Sequence, residues 1–308
     1  MYFGPNIMNS EHTPSVSIVV TTYQRPALAL RAIKSALAQD YPNTTILVVE
    51  DGAETELRSR LAGLKQGNVN YIAHTRNEGL AAARNTGIRC SEGDYVAFLD
   101  DDDEWMESKI SEQIAIALKA GENCACVYCA AEIIGEAGEY LGENRPKLRG
   151  SIRREIRRLG LHTIPSSCLF KREALVRIGG YDVGLRSHID HDIWMGLARC
   201  EYECDFSQKR LVKTYEHNAQ RMTTDIKARI EATRLFCEKW NPELTEWYGK
   251  KEAAANLSKF QARVFLGLGT ICRNNGRKAS ALSHYVAALK FDPLNKKCYR
   301  NLFKLVSG

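Results

Sequence analysis

Length and composition exclude several classes at the outset. The chain has 308 residues, 44% of them hydrophobic, which suits one large core or a core with a small annex; no apolar run approaches the roughly 18–20 residues of a bilayer span. Lys and Arg number 43 against 37 Asp and Glu, a net charge of +6 that is too modest by itself to predict nucleic-acid binding.

Residues 1–14 read as an N-terminal tail without the basic start and apolar stretch of a signal peptide. This predicts a cytoplasmic location and thiol chemistry for the cysteines. Ser17-Ile18-Val19-Val20-Thr21-Thr22 is a β-branched run and reads as a buried strand. Pro26 then sits where a helix over 27–39 can begin, and Pro42 closes it. A second strand over 45–49 stops at Glu50-Asp51-Gly52, and 54–64 reads as a helix. A third strand over 69–73 precedes Asn77-Glu78-Gly79, a helix over 80–89, and a strand over 95–99 that runs into Asp100-Asp101-Asp102-Asp103-Glu104. Strands alternating with helices in this way predict an α/β fold with a mostly parallel sheet covered on both faces.

In open α/β sheets ligands bind beyond the carboxyl ends of the strands, and the polar residues cluster there. Thr21, Thr22 and Tyr23 follow the first strand, Asp51 the second, Arg76 the third, and Asp100 to Asp103 the fourth. None of these turns carries a Gly-x-Gly-x-x-Gly or P-loop, which argues against a dinucleotide dehydrogenase or a P-loop ATPase. Four adjacent carboxylates repel one another, and a hard divalent cation sharing phosphate oxygens would relieve them. A solvated acidic loop is the plainer alternative.

Five pieces then stand in order. They are Val16-Ser17-Ile18-Val19-Val20-Thr21-Thr22-Tyr23-Gln24-Arg25-Pro26, Val48-Val49-Glu50-Asp51-Gly52, Asn77-Glu78-Gly79-Leu80-Ala81-Ala82-Ala83-Arg84-Asn85-Thr86-Gly87, Phe98-Leu99-Asp100-Asp101-Asp102-Asp103, and Gly179-Gly180-Tyr181-Asp182 with Asp190-His191-Asp192-Ile193-Trp194. Together they resemble the GT-A fold nucleotide-sugar glycosyltransferases of family 2, over about residues 15–220. The resemblance implies a Rossmann-like GT-A domain over 15–225. It implies a uracil and ribose pocket from Thr21, Tyr23 and Asp51, with Arg25 and Arg76 toward the nucleotide. It implies a DXD motif within Asp100 to Asp103, with Asp102 on Mn²⁺ or Mg²⁺ and Asp100 or Asp101 on ribose; Asp103 leaves the register open by one residue. Asp190 takes the catalytic-base position, where Ile189 stands in place of the usual preceding Glu. His217 resembles a late His that in some relatives joins the metal or diphosphate, and Arg221 is a candidate phosphate clamp. Asp192, Trp105 and Trp194 adjoin the two acidic motifs as candidates for the donor or acceptor pocket, core packing being the alternative for the two Trp.

The chemistry is coherent on its own terms. A divalent ion would neutralise charge on a departing nucleoside diphosphate, while Asp190 takes the proton of the attacking acceptor hydroxyl. One base without a second nucleophile implies inversion. The expected donor is a UDP-sugar and the acceptor a saccharide or lipid-linked saccharide in glycan assembly. Processive relatives carry a Gln-x-x-Arg-Trp motif and membrane helices, both absent from this sequence, so transfer is expected to be non-processive. A sugar nucleotidyltransferase and a degenerate domain acting as a scaffold are the alternatives.

Between 145 and 177 ten Lys or Arg face two acids, a local +8, so the remainder nets −2. Within 149–159, Ile152, Ile156 and Leu159 and also Arg149, Arg153 and Arg157 repeat at helical spacing. An amphipathic basic helix follows, fit for anionic lipid or a lipid-linked diphosphate acceptor, or for a solvated face covering the catalytic domain. Strand signals end near 225, and Gly267-Leu268-Gly269 with Ala281, Tyr285, Ala288 and Asp292-Pro293 matches one tetratricopeptide-like helix pair within a helical region over 226–308. A single pair cannot bury both faces, so it is expected to brace the catalytic domain or to dock another protein or a second copy. Cys124-Ala125-Cys126-Val127-Tyr128-Cys129 lies in a strand-like apolar run and reads as core.

Overall fold

The computed structural model describes residues 13–63, 68–159, 163–216 and 225–306. In chain order the elements are β1 (Val16–Thr22), α1 (Pro26–Leu37), β2 (Thr44–Glu50), α2 (Leu57–Ala62), β3 (Val69–Ala73), α3 (Leu80–Cys90), β4 (Tyr95–Asp100), β5 (Asp103–Trp105), α4 (Lys109–Ala120), β6 (Cys124–Ile134), β7 (Tyr140–Asn144), β8 (Gly150–Ser151), α5 (Ile152–Glu155), β9 (Cys168–Lys171), α6 (Arg172–Arg177), α7 (Ile189–Arg199), β10 (Glu203–Tyr215), α8 (Ile226–Tyr248), α9 (Lys250–Asn274), α10 (Lys278–Phe291) and α11 (Lys296–Val306).

The sheet runs β3-β2-β1-β4-β9-β6-β10-β5. Its first half is parallel, as alternating strands and helices dictate: β1 pairs with β2 and β4, and β2 with β3. The second half is mixed, a departure from the mostly parallel expectation. β9 enters antiparallel between β4 and β6, and β5 lies antiparallel on β10. Register aligns the strand ends, with Thr21 opposite both Val49 and Asp100. The polar residues that follow β1, β2 and β4 therefore share one edge.

Both faces are packed. Along β1, Val19 joins one apolar cluster while Ile18 and Val20 join another, the period of two expected of a strand. Each fully buried Val or Ile contributes about 1.5–3 kcal/mol. Helix α3 lies tight on β1 because Gly87 faces Val19; a Cβ there would sit 2.2 Å from a Val19 methyl. The helix expected from 54 begins later, at Leu57. Ahead of it Thr55 donates its N–H to Glu50 Oε2 at 3.2 Å, and its hydroxyl accepts the Leu57 N–H at 3.2 Å. A turn tied back to β2 thus replaces the first helical turn.

The C-terminal helices share the main core. Phe236, Trp240 and Leu244 of α8 and Phe260 of α9 belong to the cluster that holds Trp194 and Leu197 of α7. The expected helix pair is α9 and α10, which meet where Tyr285 lies over Gly269; a Cβ there would be 2.5 Å from the ring. The basic stretch is not one helix. It divides into β8, α5 and a 3₁₀ turn over Ile156–Arg158 that ends at Leu159 in the left-handed region, φ 46°. Its apolar spacing does mark one buried side: Ile152, Ile156 and Leu159 are all in the core. Three of its arginines form ion pairs at the surface: Arg149 with Asp205, Arg153 with Glu201 and Arg157 with Glu252 on α9. All ten cysteines are free thiols, and Cys124, Cys126 and Cys129 are buried in β6. Among the described residues no helix is long and apolar enough to cross a membrane.

Candidate active site

The turn after β1 begins the site. Thr21 is buried at the strand end, and the next hydroxyl, Thr22 Oγ1, donates to Asp101 Oδ2 at 2.8 Å. Tyr23 stays 44% exposed, its ring packed across Gly52, where a Cβ would stand 3.2 Å from it. Gly52 has φ +133°, so the bend after Asp51 and the close approach of the ring both require glycine. Asp51 is buried and already engaged. It accepts the N–H groups of Glu78 and Gly79, each at 2.8 Å, and the Nδ1–H of His74 at 2.9 Å. Its carboxylate thereby holds the loop that opens α3 beneath Tyr23. Arg76 stands apart: its side chain is 84% exposed and its nearest acid, Glu78, is 3.9 Å away.

The four aspartates occupy four different environments. Asp100 accepts from Arg84 Nη2 at 2.7 Å. Asp101, between Thr22 and Arg25, is buried, and desolvation with help from Asp102 and Asp100 pushes its pKa up to about 6 against the pull of Thr22 and Arg25. Asp103 lies deeper and accepts from Ser166 Oγ at 2.5 Å; burial, then the charge of Asp100, drives its pKa well above the ordinary carboxylate value. Asp102 keeps 27% of its side chain exposed, with Arg25 Nη1 at 3.3 Å. Arg84, Arg25, Thr22 and Ser166 offset part of the repulsion among the four carboxylates, and the rest shows in the raised pKa values of Asp101 and Asp103. A divalent ion fits Asp102: it is a hard oxygen donor at the cleft, held by one long contact. Among the described residues no three His, Cys, Asp or Glu side chains make a ready metal cage. Arg31 steadies the loop from α1, donating to the Asp102 carbonyl at 2.8 Å and pairing with Glu104 at 3.1 Å.

Arg84 was missed in the sequence and organises the site. Its side chain is 1% exposed, and while Nη2 reaches Asp100, Nη1 reaches Asp190 Oδ1 at 2.7 Å. The guanidinium lies over the rings of Phe98 and Tyr181, at 5.7 and 5.2 Å. Asp190, in the first turn of α7, keeps 37% of its side chain exposed. Burial within the cleft raises its pKa, and Arg84 opposes that rise. The neighbouring Asn85 fixes the Gly180-Tyr181 turn, donating to the Tyr181 carbonyl and accepting its N–H, both at 2.7 Å.

Three other candidates are buried and held by packing and hydrogen bonds. Trp105 and Trp194 are core residues whose indole N–H groups donate to the Ser166 carbonyl and to Thr163 Oγ1, each at 2.8 Å. Asp192 is buried against α8, accepting from Trp240 Nε1 at 2.7 Å and pairing with Lys239 at 2.8 Å. His217 and Arg221 lie outside the described residues.

An acid loop, a cleft aspartate and one arginine joining them stand at the carboxyl edge of an α/β sheet. The profile of glycosyl transferase family 2 matches residues 17–179, more than half of the chain. The chain belongs to this family. A glycosyltransferase of Rickettsia typhi, itself uncharacterised, is 30% identical over 229 residues, 73% of this chain and 71% of that protein. The Escherichia coli UDP-Glc:α-D-GlcNAc-diphosphoundecaprenol β-1,3-glucosyltransferase WfgD is 32% identical over 119 residues, 39% of this chain and 46% of WfgD. In structure the chain resembles S. aureus TarS 1–349, solved with UDP-GlcNAc, at a TM-score of 0.66 and 17% identity, covering 90% of this chain and 80% of that one. The mixed sheet with flanking helices is thus a GT-A fold, and the protein is a glycosyltransferase; membership sets aside the nucleotidyltransferase reading.

Proposed function

We propose that this glycosyltransferase is a metal-dependent, inverting enzyme that moves a sugar from a UDP-sugar to a hydroxyl of a saccharide or lipid-linked saccharide. The observation that carries the reading is the buried Arg84 shared by Asp100 and Asp190, which couples the donor-side acid loop to a base at the cleft. Tyr23 offers an exposed face for the uracil ring, and Arg25 offers cationic donors to ribose or diphosphate. Asp102 would hold Mn²⁺ or Mg²⁺, with donor phosphates completing the shell, and the ion would supply charge neutralisation on the departing diphosphate.

Asp190 Oδ1 is committed to Arg84, so Oδ2 is the atom that takes the acceptor proton as the hydroxyl oxygen attacks the anomeric carbon. Arg84 keeps the carboxylate ionised against partial burial. Attack from the face opposite the leaving group inverts the anomeric centre. We read 15–225 as the catalytic unit and 226–308 as its helical brace. WfgD, by its name, acts on a diphosphoundecaprenol-linked sugar. A similar acceptor would bring the protein to a membrane face, where Arg149, Arg153 and Arg157 already pair with acids of the same chain.

The test is a panel of UDP-, GDP- and dTDP-sugars with and without Mn²⁺ or Mg²⁺, using wild type and Asp102→Ala. The reading expects metal-dependent UDP release from one donor, lost in the variant. Turnover that ignores metal and Asp102 would overturn the metal assignment, and silence with no nucleotide binding would favour a scaffold.

A further inference from the structure

Helix α8 touches the chain on both sides of Asp190, two residues before it and two residues after. On the near side, His188 Nε2 lies 2.9 Å from Thr233 Oγ1 of α8. The Thr233 hydroxyl donates its only proton to the Arg229 carbonyl at 2.7 Å. Thr233 therefore accepts, and His188 must carry its proton on Nε2. Burial first, then the charges of His191 and Arg229, lowers the His188 pKa to about 3, so the ring stays neutral and this tautomer is fixed. The ring is wedged against Phe260 at 5.1 Å and Phe236 at 6.0 Å. The His188 backbone occupies the left-handed region, φ 64°, a conformation a non-glycine residue keeps only when its surroundings impose it. On the far side, Asp192 accepts from Trp240 Nε1 and pairs with Lys239, both also on α8.

We infer that α8 is a positioning element for the catalytic base, with Thr233 acting through His188 and Trp240 through Asp192 to set the first turn of α7 so that Asp190 meets Arg84 and the acceptor. The inference rests on the reading of Asp190 as the base. It gives the C-terminal helices a part in the reaction beyond packing: the strained His188 starts α7, and the direction in which α7 starts determines where Asp190 points.

The test uses the full chain and the UDP-sugar that gives nucleotide release in the panel above. Thr233→Val removes the acceptor for His188 while keeping the shape; Thr233→Ser keeps the hydroxyl; Trp240→Phe keeps an aromatic ring, smaller than the indole, and removes its N–H. The inference expects Thr233→Val and Trp240→Phe to lower kcat by about ten-fold or more, the scale on which a displaced catalytic group acts. Donor KM should change little, some loss of melting temperature is expected from the cavity at Trp240 and the unpaired His188 N–H, and Thr233→Ser should restore both kcat and stability. In an Asp190→Asn background Thr233→Val should cost nothing further, because the two act in one chain. Unchanged kcat in both single variants, or an added loss in the double variant, overturns the inference while leaving Asp190 as base. Near-normal turnover of Asp190→Asn alone overturns both.

Discussion

Arg84 reaches Asp190 through Nη1 and Asp100 through Nη2, both at 2.7 Å, so one buried guanidinium spans the acid loop after β4 and the first turn of α7. The planar fork makes this possible; a lysine ammonium is a compact charge that cannot hold two carboxylates in fixed directions. Arg84→Lys is therefore expected to lower kcat by about a hundred-fold through misplacement of Asp190. The pH below which activity falls should also rise, because Arg84 is what opposes the burial-driven increase in the Asp190 pKa. A pH profile of kcat/KM for both proteins checks this. An unchanged acid limb would mean that Asp190 is not the titrating group.

Asp101 has its pKa raised to about 6, above the ordinary value of 3.8. The folded chain holds this proton more tightly than the unfolded chain, so the stabilisation is full below about pH 4 and lost as pH rises through about 6. The span of the shift corresponds to at most about 3 kcal/mol. Asp101→Asn should be more stable than wild type at pH 8 without divalent metal and similar at pH 4. Denaturant melts at the two pH values decide it, and the reverse ordering would show that the Arg25 and Thr22 contacts outweigh burial.

Much of this architecture is legible in the sequence, for a physical reason. Strands β1 to β4 are largely apolar runs closed by polar turns, and their shared edge follows from parallel register, so the acid loop and the Tyr23 turn declare themselves. Arg84 does not. It sits in an Ala-rich helix, and its partner Asp190 is 106 residues away, a proximity created only when the fold brings the start of α7 within reach of the Arg84 side chain. Trp105 and Trp194 are open to two readings in the sequence, because closeness to an acidic motif says nothing about which face of its element a ring occupies; both rings are buried. In 149–159 the apolar spacing marks the buried side, but the ion pairs of Arg149, Arg153 and Arg157 are not legible, because their acids come from β10, the turn after α7, and α9.

Gly87 tests the scaffold beneath the site. A Cβ at this position would overlap Val19, pushing α3 away from β1 and taking Arg84 with it. Gly87→Ala is expected to destabilise the fold by about 1–3 kcal/mol despite the better helix propensity of alanine. Urea unfolding of the two proteins gives the difference, and a gain in stability would contradict the close approach.

The most direct test of the account is Asp190→Asn, with UDP binding measured by calorimetry and transfer measured with the active donor. The account predicts UDP affinity close to wild type and transfer lowered by about a hundred-fold or more. Transfer near the wild-type rate would contradict the assignment of Asp190 as the base on which the mechanism stands.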